Sequence, residues 1–175
     1  QFFMMAEGGK IDYASHANDG GTVLREVLDF DKAIKVAYDF YMQHPDETLI
    51  VVTADHETGG MALGNSDYTL NLKVLAEQKC SSDLLSDQLS ALQKEAGKYL
   101  TWEQVKEVIS KNTGLYTVVE ISTEEDQLLR AAFEQMMQHQ GVEKSLYKDI
   151  NALASKALAL LNQKSRLGWT SKGHT

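Results

Sequence analysis

The sequence predicts an α/β fold in which a strand, a crossover helix and a second strand belong to one parallel sheet. Two apolar runs of strand length, residues 2–6 and 49–53, predict the strands. Between them, residues 23–42 carry apolar side chains at helical spacing, and Thr22 is placed to cap this helix. A helix that joins two strands in this way is typical of the βαβ unit, from which parallel sheets are built.

Composition limits the classes of function. The chain has 175 residues, of which 43% are hydrophobic and 24% charged, as in an ordinary globular protein. A net charge of −8 argues against binding nucleic acid, because a groove for phosphates needs basic residues. No apolar run reaches the length of a membrane span. The single cysteine, Cys80, is expected to be an inert thiol that is buried or half-buried.

The first candidate ligands follow the first predicted strand. Glu7 ends the apolar run, and Asp12 and His16 stand four positions apart, which places them on one face of a helix. An aspartate and a histidine at this spacing can hold a divalent metal. The same spacing is common for an aspartate at a helix start beside a surface histidine, so it does not by itself indicate a metal.

A second pair of candidate ligands follows the second predicted strand. Asp55 and His56 come just after residues 49–53, and Gly59 and Gly60 then allow a sharp turn. Carboxylate oxygen and imidazole nitrogen together suit zinc, although an Asp-His pair can also merely cap a turn. Parallel strands place both groups at the same edge of the sheet, where open α/β sheets have their sites. The candidate ligands after the two predicted strands are therefore expected to lie close together, which strengthens the interpretation of both as parts of a metal site.

The middle of the chain is predicted to be mainly helical. Capping boxes at Thr101 and Ser122 open helices that end near Lys111 and His139, and His139 is expected to be a surface residue. The other predicted elements are a helix over residues 82–96, a strand or helix over 68–76, a β-rich stretch over 116–121 and a long helix over 145–165. We divide the chain into residues 1–65, a helical insertion over 66–165, and a return to the core over 166–175.

The residues quoted above resemble a known family. EGGKIDYASH, followed about forty residues later by TADHETGG, is similar to the metal-ligand motifs of the alkaline phosphatase family, and WTSKGHT at the end looks like that family's last zinc-ligand segment. The resemblance implies part of a three-layer α/β core with a parallel sheet. It covers about residues 1–64 and 168–175, so the helical middle looks like an insertion.

The resemblance also implies a site with two zinc ions and one magnesium ion. Glu7 matches the magnesium ligand. Asp12, His16 and His174 match the ligands of the first zinc. Asp55 and His56 match ligands of the second zinc. Tyr13 stands where some relatives carry a lysine or histidine near the phosphate.

The activity implied by the resemblance is hydrolysis of phosphate monoesters through a phosphoserine intermediate. The family's nucleophile is a serine that follows an aspartate upstream of these motifs, and no serine here directly follows an aspartate. The sequence also begins without Met and with an apolar run. We therefore expect a fragment that contains no catalytic nucleophile and is inactive by itself. The family further implies a periplasmic or extracellular location, and it is compatible with a homodimer of the longer protein.

Two alternatives stay open at this point. One is another metal-dependent hydrolase of the same superfamily, such as a phosphodiesterase or a sulfatase, because the upstream segment decides which nucleophile is used. The other is a fragment without catalytic function whose helical middle binds a partner.

Overall fold

A computed structural model describes residues 1–65, 68–144 and 146–174. The helices within these residues are α1 (Gly9–His16), α2 (Gly20–Gln43), α3 (Ser82–Ala96), α4 (Trp102–Thr113), α5 (Thr123–Met137) and α6 (Ala152–Ser165). Two 3₁₀ helices, Leu72–Glu77 and Gly97–Tyr99, precede and follow α3. The strands are β1 (Ala62–Leu63), β2 (Val142–Glu143), β3 (Ile150–Asn151) and β4 (Leu167–Gly168).

The strands form two small antiparallel sheets. β1 pairs with β4, with Ala62 opposite Gly168, and β2 pairs with β3, with Val142 opposite Asn151. The first sheet connects two segments that are more than a hundred residues apart in the sequence. It therefore fixes the end of the chain beside the segment that follows residue 60.

The prediction of strands at residues 2–6 and 49–53 is wrong within the described part of the chain. Both segments lie outside helix and strand, and their apolar side chains are exposed except for the half-buried Ile50, with Phe3 at 91% and Leu49 at 87%. A strand forms only where its backbone groups pair with a neighbour, and the described residues place no strand beside either run. The apolar runs are present as the sequence shows, but an apolar run by itself does not specify the backbone pairing that a strand needs.

Helix α2 is longer than predicted at its first turn. It begins at Gly20, and its cap is Asp19, whose side chain accepts a hydrogen bond from the backbone N–H of Thr22. Thr22 is therefore inside the helix rather than its cap. The predicted capping boxes are confirmed at Thr101, with Gln104, and at Ser122, with Glu125.

Other predicted boundaries need correction. The last helix begins at Ala152 rather than at residue 145, because β3 takes the residues before it. Helix α5 ends at Met137, before His139. Residues 116–121 form no strand, and the segment predicted as strand or helix from residue 68 contains the 3₁₀ helix Leu72–Glu77. The predicted boundaries at residues 66, 145 and 175 fall on Ser66, Ser145 and Thr175, which lie outside the described residues.

Helices α3–α6 enclose the main hydrophobic core. Its largest fully buried apolar side chains are Leu85, Leu89, Val105, Ile109, Leu115, Leu129, Leu153 and Leu161. Helix α2 joins this core only through its first turns, where Val23 is buried and Leu24 packs against the cluster. In the part of the chain that the structure describes, no helix combines the length and apolar character needed to cross a membrane.

A buried carboxylate ties α1 and α2 to the helical core. Asp19 is fully buried. Its oxygens accept hydrogen bonds from the Gln78 side chain at 2.6 Å, from the Ser82 N–H at 2.7 Å and from the Thr22 hydroxyl at 2.8 Å. A buried charge is tolerated when its hydrogen-bonding capacity is used in this way. Asp19 therefore holds the turn between α1, which carries Asp12 and His16, and α2 against the start of α3.

We predict that Asp19→Ala lowers the free energy of unfolding by at least ~3 kcal/mol, because it removes a helix cap and leaves buried donors without acceptors. Urea unfolding followed by circular dichroism measures this change. Asp46→Ala, at an exposed position in the turn after α2, is the control and should change stability by less than about 0.5 kcal/mol. Equal stability of the two variants would contradict the role given to Asp19.

The cap of α5 also makes stability depend on pH. Burial raises the pKa of Glu125, but hydrogen bonds from Lys164 and the Ser122 N–H together lower it by more than burial raises it. The pKa therefore lies below its ordinary value of 4.5. A carboxylate whose pKa is lowered by folding stabilises the native state above that ordinary value, and the stabilisation is lost as the pH falls through the folded pKa.

We therefore predict that Glu125→Gln lowers stability at pH 7 by up to about 1 kcal/mol and reduces the loss of stability between pH 5 and about pH 3. Denaturant unfolding at a series of pH values tests this. Glu107→Gln, at an exposed position on α4, is the control. The expectation fails if Glu125→Gln and the wild type lose stability in parallel on acidification.

Candidate metal centre

Helix α1 places two of the predicted ligands together. Asp12 and His16 are one turn apart, and Nε2 of His16 lies 3.4 Å from Oδ1 of Asp12. His16 is buried, with 3% of its surface exposed, while the Asp12 side chain keeps 20%. The helix thus presents a carboxylate oxygen and an imidazole nitrogen at the boundary between protein and solvent.

The end of the chain adds a third candidate ligand, His174. A β-bridge pairs Thr58 with His174, and the N–H of Gly59 donates to the carbonyl of Gly173. The N–H groups of Thr170 and Ser171 both donate to the carbonyl of Gly59. These bonds hold His174 beside α1.

Gly59 is required for this approach. Its φ of +82° is in the left-handed region, and a Cβ there would lie 2.9 Å from the carbonyl oxygen of Ser15 and 2.8 Å from the ring of Trp169. Any side chain would separate α1 from the segment that carries His174.

Three side chains have the spacing of a tetrahedral metal site. We call Asp12, His16 and His174 the ligand triangle. Its sides are 3.4 Å between Asp12 Oδ1 and His16 Nε2, 3.5 Å between Asp12 Oδ1 and His174 Nε2, and 3.2 Å between the two Nε2 atoms. A tetrahedral zinc with bonds of about 2.0–2.2 Å has ligands about 3.3–3.6 Å apart. The triangle is therefore close to the size that this ion needs.

The hydrogen bond of His16 prepares Nε2 for a metal. Its Nδ1 lies 2.6 Å from the backbone carbonyl oxygen of Lys172. Because a carbonyl can only accept, Nδ1 carries the proton, and Nε2 of the neutral ring keeps its lone pair. Histidines that bind metals are usually oriented by such a bond from the other ring nitrogen.

His56 forms a second possible set of three ligands with Asp12 and His174, all within 4.8 Å of one another. The rings of His56 and His174 stack at 3.7 Å between centroids. Nδ1 of His56 lies 3.2 Å from the hydroxyl of Thr58, and that hydroxyl donates to Oδ1 of Asp12 at 2.6 Å. A hydroxyl thus connects His56 to the ligand triangle.

The surroundings of Asp12 favour its ionised form. Burial raises the pKa of Asp12, but hydrogen bonds from Thr58 and Tyr147 and electrostatic interactions with His16 and His174 lower it by more. The result is a pKa below the ordinary value of 3.8. The carboxylate is therefore available as a metal ligand at neutral pH.

Two further predicted ligands, Asp55 and Glu7, are not members of this triangle. Asp55 is 86% exposed at its side chain and contacts its neighbour His56, at 3.5 Å between Oδ2 and Nε2. Glu7 is exposed beside the start of α1, where a Cβ at Gly9 would lie 3.1 Å from its Oε1. His139 is exposed after α5, as expected for a surface residue.

Sequence reasoning missed three partners of the ligands. Thr58 and Tyr147 hydrogen-bond Asp12, and Lys172 orients His16. The contact with Asp12 raises the pKa of the Tyr147 hydroxyl to about 12. Thr58 is two residues from His56, which could have suggested its role, whereas nothing in the sequence connects Tyr147, 135 positions away, with Asp12.

Comparison with known proteins identifies the family of this chain. The family model described as alkaline phosphatase matches residues 1–175. The chain belongs to the alkaline phosphatase family. It is 31% identical to alkaline phosphatase 4 of Bacillus subtilis over 99% of this chain and 32% of that protein. It is 29% identical to the repressible alkaline phosphatase of Saccharomyces cerevisiae over 99% of this chain and 29% of that protein.

A solved alkaline phosphatase confirms the predicted α/β fold class. The crystal structure of a cold-active enzyme from a psychrophilic Shewanella species matches with a TM-score of 0.70 and 30% identity, over 97% of this chain and 36% of that one. The chain spans about a third of the length of these alkaline phosphatases. The division into residues 1–65, 66–165 and 166–175 stays a prediction.

We predict that the ligand triangle, and not the set with His56, forms the tighter site. His16→Ala should weaken zinc binding by about 100-fold or more, because a complete structural zinc site contributes about 10–16 kcal/mol. His56→Ala should weaken the same step less than tenfold. Calorimetric zinc titration of the chain measures both, with His139→Ala as the control. The assignment would be reversed by a larger loss in His56→Ala than in His16→Ala.

Proposed function

We propose that this chain supplies metal ligands to an alkaline phosphatase that hydrolyses phosphate monoesters at a centre of two zinc ions and one magnesium ion. The observation that supports this most directly is the ligand triangle, in which residues from α1 and from the end of the chain converge within 3.5 Å. Family membership supports the reaction type.

The donor set fits the proposed ions. One carboxylate and two imidazoles are ligands that zinc accepts, and three protein ligands leave a position for another group. Asp55 and His56 would contribute to the second zinc, and Glu7 would serve magnesium, which prefers carboxylate oxygen and water. When bound, the zinc ions would act as Lewis acids toward the oxygens of a phosphoryl group.

The chain's own residues would orient these ligands and expose them on one side. The Lys172 carbonyl fixes the ring of His16, and Thr58 holds Oδ1 of Asp12. His174 is 50% exposed at its side chain, whereas His16 is buried. The substrate would therefore approach from the side of His174.

We further propose that the nucleophile is outside this chain. No serine here directly follows an aspartate, which is the arrangement that the family uses. The chain alone would then bind metal without turning over a phosphate ester, and the second zinc site would be weak because only Asp55 and His56 serve it.

The test is an aryl phosphate assay on the full-length protein that contains this chain and, separately, on the 175-residue chain. We predict that the full-length protein releases phosphate at alkaline pH, that a chelator abolishes the activity, and that added zinc with magnesium restores it. The chain by itself should show no turnover above a buffer blank that contains the same metals.

Matched phosphodiester and sulfate ester substrates complete this experiment. Faster turnover of either by the full-length protein would replace the proposal with another hydrolase of the superfamily. If the full-length protein is active on none of the three substrates, the result would favour a binding role. Turnover that increases with the amount of highly purified chain would refute the claim that the nucleophile is elsewhere.

A further inference from the structure

We propose that Tyr147 is a positioning residue of the metal centre, which fixes the carboxylate of Asp12 through a hydrogen bond to Oδ2. The inference rests on the metal centre proposed above. It assigns a role at this centre to the segment between β2 and β3, a part of the chain that sequence analysis placed in a separate helical insertion.

Tyr147 contacts two members of the ligand triangle, Asp12 and His16, and also Tyr13 on α1. Its hydroxyl donates to Oδ2 of Asp12 at 2.7 Å. Its ring stacks on Tyr13 at 3.8 Å between centroids and meets the ring of His16 edge-on at 5.5 Å. Tyr13 in turn has Nζ of Lys10 4.7 Å from its ring centroid. The hydroxyl is therefore held in place by aromatic packing as well as by its hydrogen bond.

Tyr147 and Thr58 each donate a hydrogen bond to a different oxygen of the Asp12 carboxylate. Thr58 donates to Oδ1, the oxygen that belongs to the ligand triangle, and Tyr147 donates to Oδ2. A carboxylate bonded at both oxygens cannot rotate freely about its Cβ–Cγ bond. The orientation of Oδ1 toward His16 and His174 is thus set before any metal binds, which reduces the ordering that binding requires.

The hairpin formed by β2, β3 and the segment between them, which carries Tyr147, contacts the site at a second point. Glu143 on β2 accepts hydrogen bonds from Nζ of Lys172 at 2.6 Å and from Ser155 at 2.8 Å. The carbonyl of Lys172 is the acceptor for Nδ1 of His16. Residues of one hairpin therefore support two of the three ligands, Asp12 directly and His16 through Lys172.

A hydrogen bond that orients a metal ligand affects metal affinity in a way that simple packing against the site does not. Partners that orient metal ligands typically change metal affinity by 10–100-fold when they are mutated. Tyr147→Phe keeps the ring that stacks on Tyr13 and removes only the hydroxyl. If Tyr147 only covers the site, this substitution leaves metal binding unchanged.

The experiment compares Zn²⁺ affinity of the 175-residue chain, by competition with a chromophoric chelator, in the wild type and in Tyr147→Phe. Tyr99→Phe, an exposed tyrosine outside the site, is the matched control. We expect a loss of tenfold or more in Tyr147→Phe alone. The visible spectrum of bound Co²⁺ should also change in this variant, because the geometry around the ion changes. The thermal midpoint of the metal-free protein should change no more than in Tyr99→Phe.

A double-mutant cycle tests whether the effect passes through Asp12. In an Asp12→Asn background, titrated up to millimolar Zn²⁺, adding Tyr147→Phe should cause no further loss. A loss of equal size in both backgrounds would overturn the inference, as would unchanged affinity of Tyr147→Phe in the wild-type background. A wild-type chain that binds neither Zn²⁺ nor Co²⁺ would refute the proposed metal centre, and the inference with it. The first two outcomes refute the inference alone.

Discussion

The structure depends on the buried carboxylate of Asp19 for the position of its candidate site. Helix α2 has no buried residue after its first turns, whereas α3–α6 surround a continuous apolar core. The hydrogen bonds from Gln78 and Ser82 to Asp19 connect these two parts. Because an unpaired buried carboxylate is costly, its donors must remain in place. The turn between α1 and α2 is therefore fixed relative to the core, and with it the end of α1, the helix that carries Asp12 and His16.

The ligand triangle is assembled from the two ends of the chain. His16 and His174 are 158 positions apart, yet their Nε2 atoms lie 3.2 Å from each other. Backbone hydrogen bonds of Gly59, together with the pairing of β1 with β4, hold the final segment against α1. Glycine at position 59 makes this close packing possible. Loss of either the buried hydrogen bonds of Asp19 or the backbone hydrogen bonds of Gly59 would separate the candidate ligands from one another.

The helical middle takes part in this arrangement. Tyr147 bonds Asp12, Glu143 bonds Lys172, and Asn162 on α6 donates to the carbonyl of Asn18 at 2.7 Å. The family model also covers this segment together with the ends of the chain. The proposed division of the chain at residues 66 and 165 therefore crosses several hydrogen bonds, and replacement of the middle segment would remove a partner of Asp12.

The sequence by itself determined what depends on near neighbours. The capping boxes at Thr101 and Ser122 and the pair Asp12–His16 involve residues three or four positions apart, for which helix geometry fixes the distance. Family motifs identified His174. Tertiary structure decided the rest: among the described residues no strand pairs with the runs at 2–6 and 49–53, and Tyr147 reaches Asp12 from 135 positions away. Strand pairing and contacts of this kind depend on which distant segments meet, and no local pattern of residues specifies that.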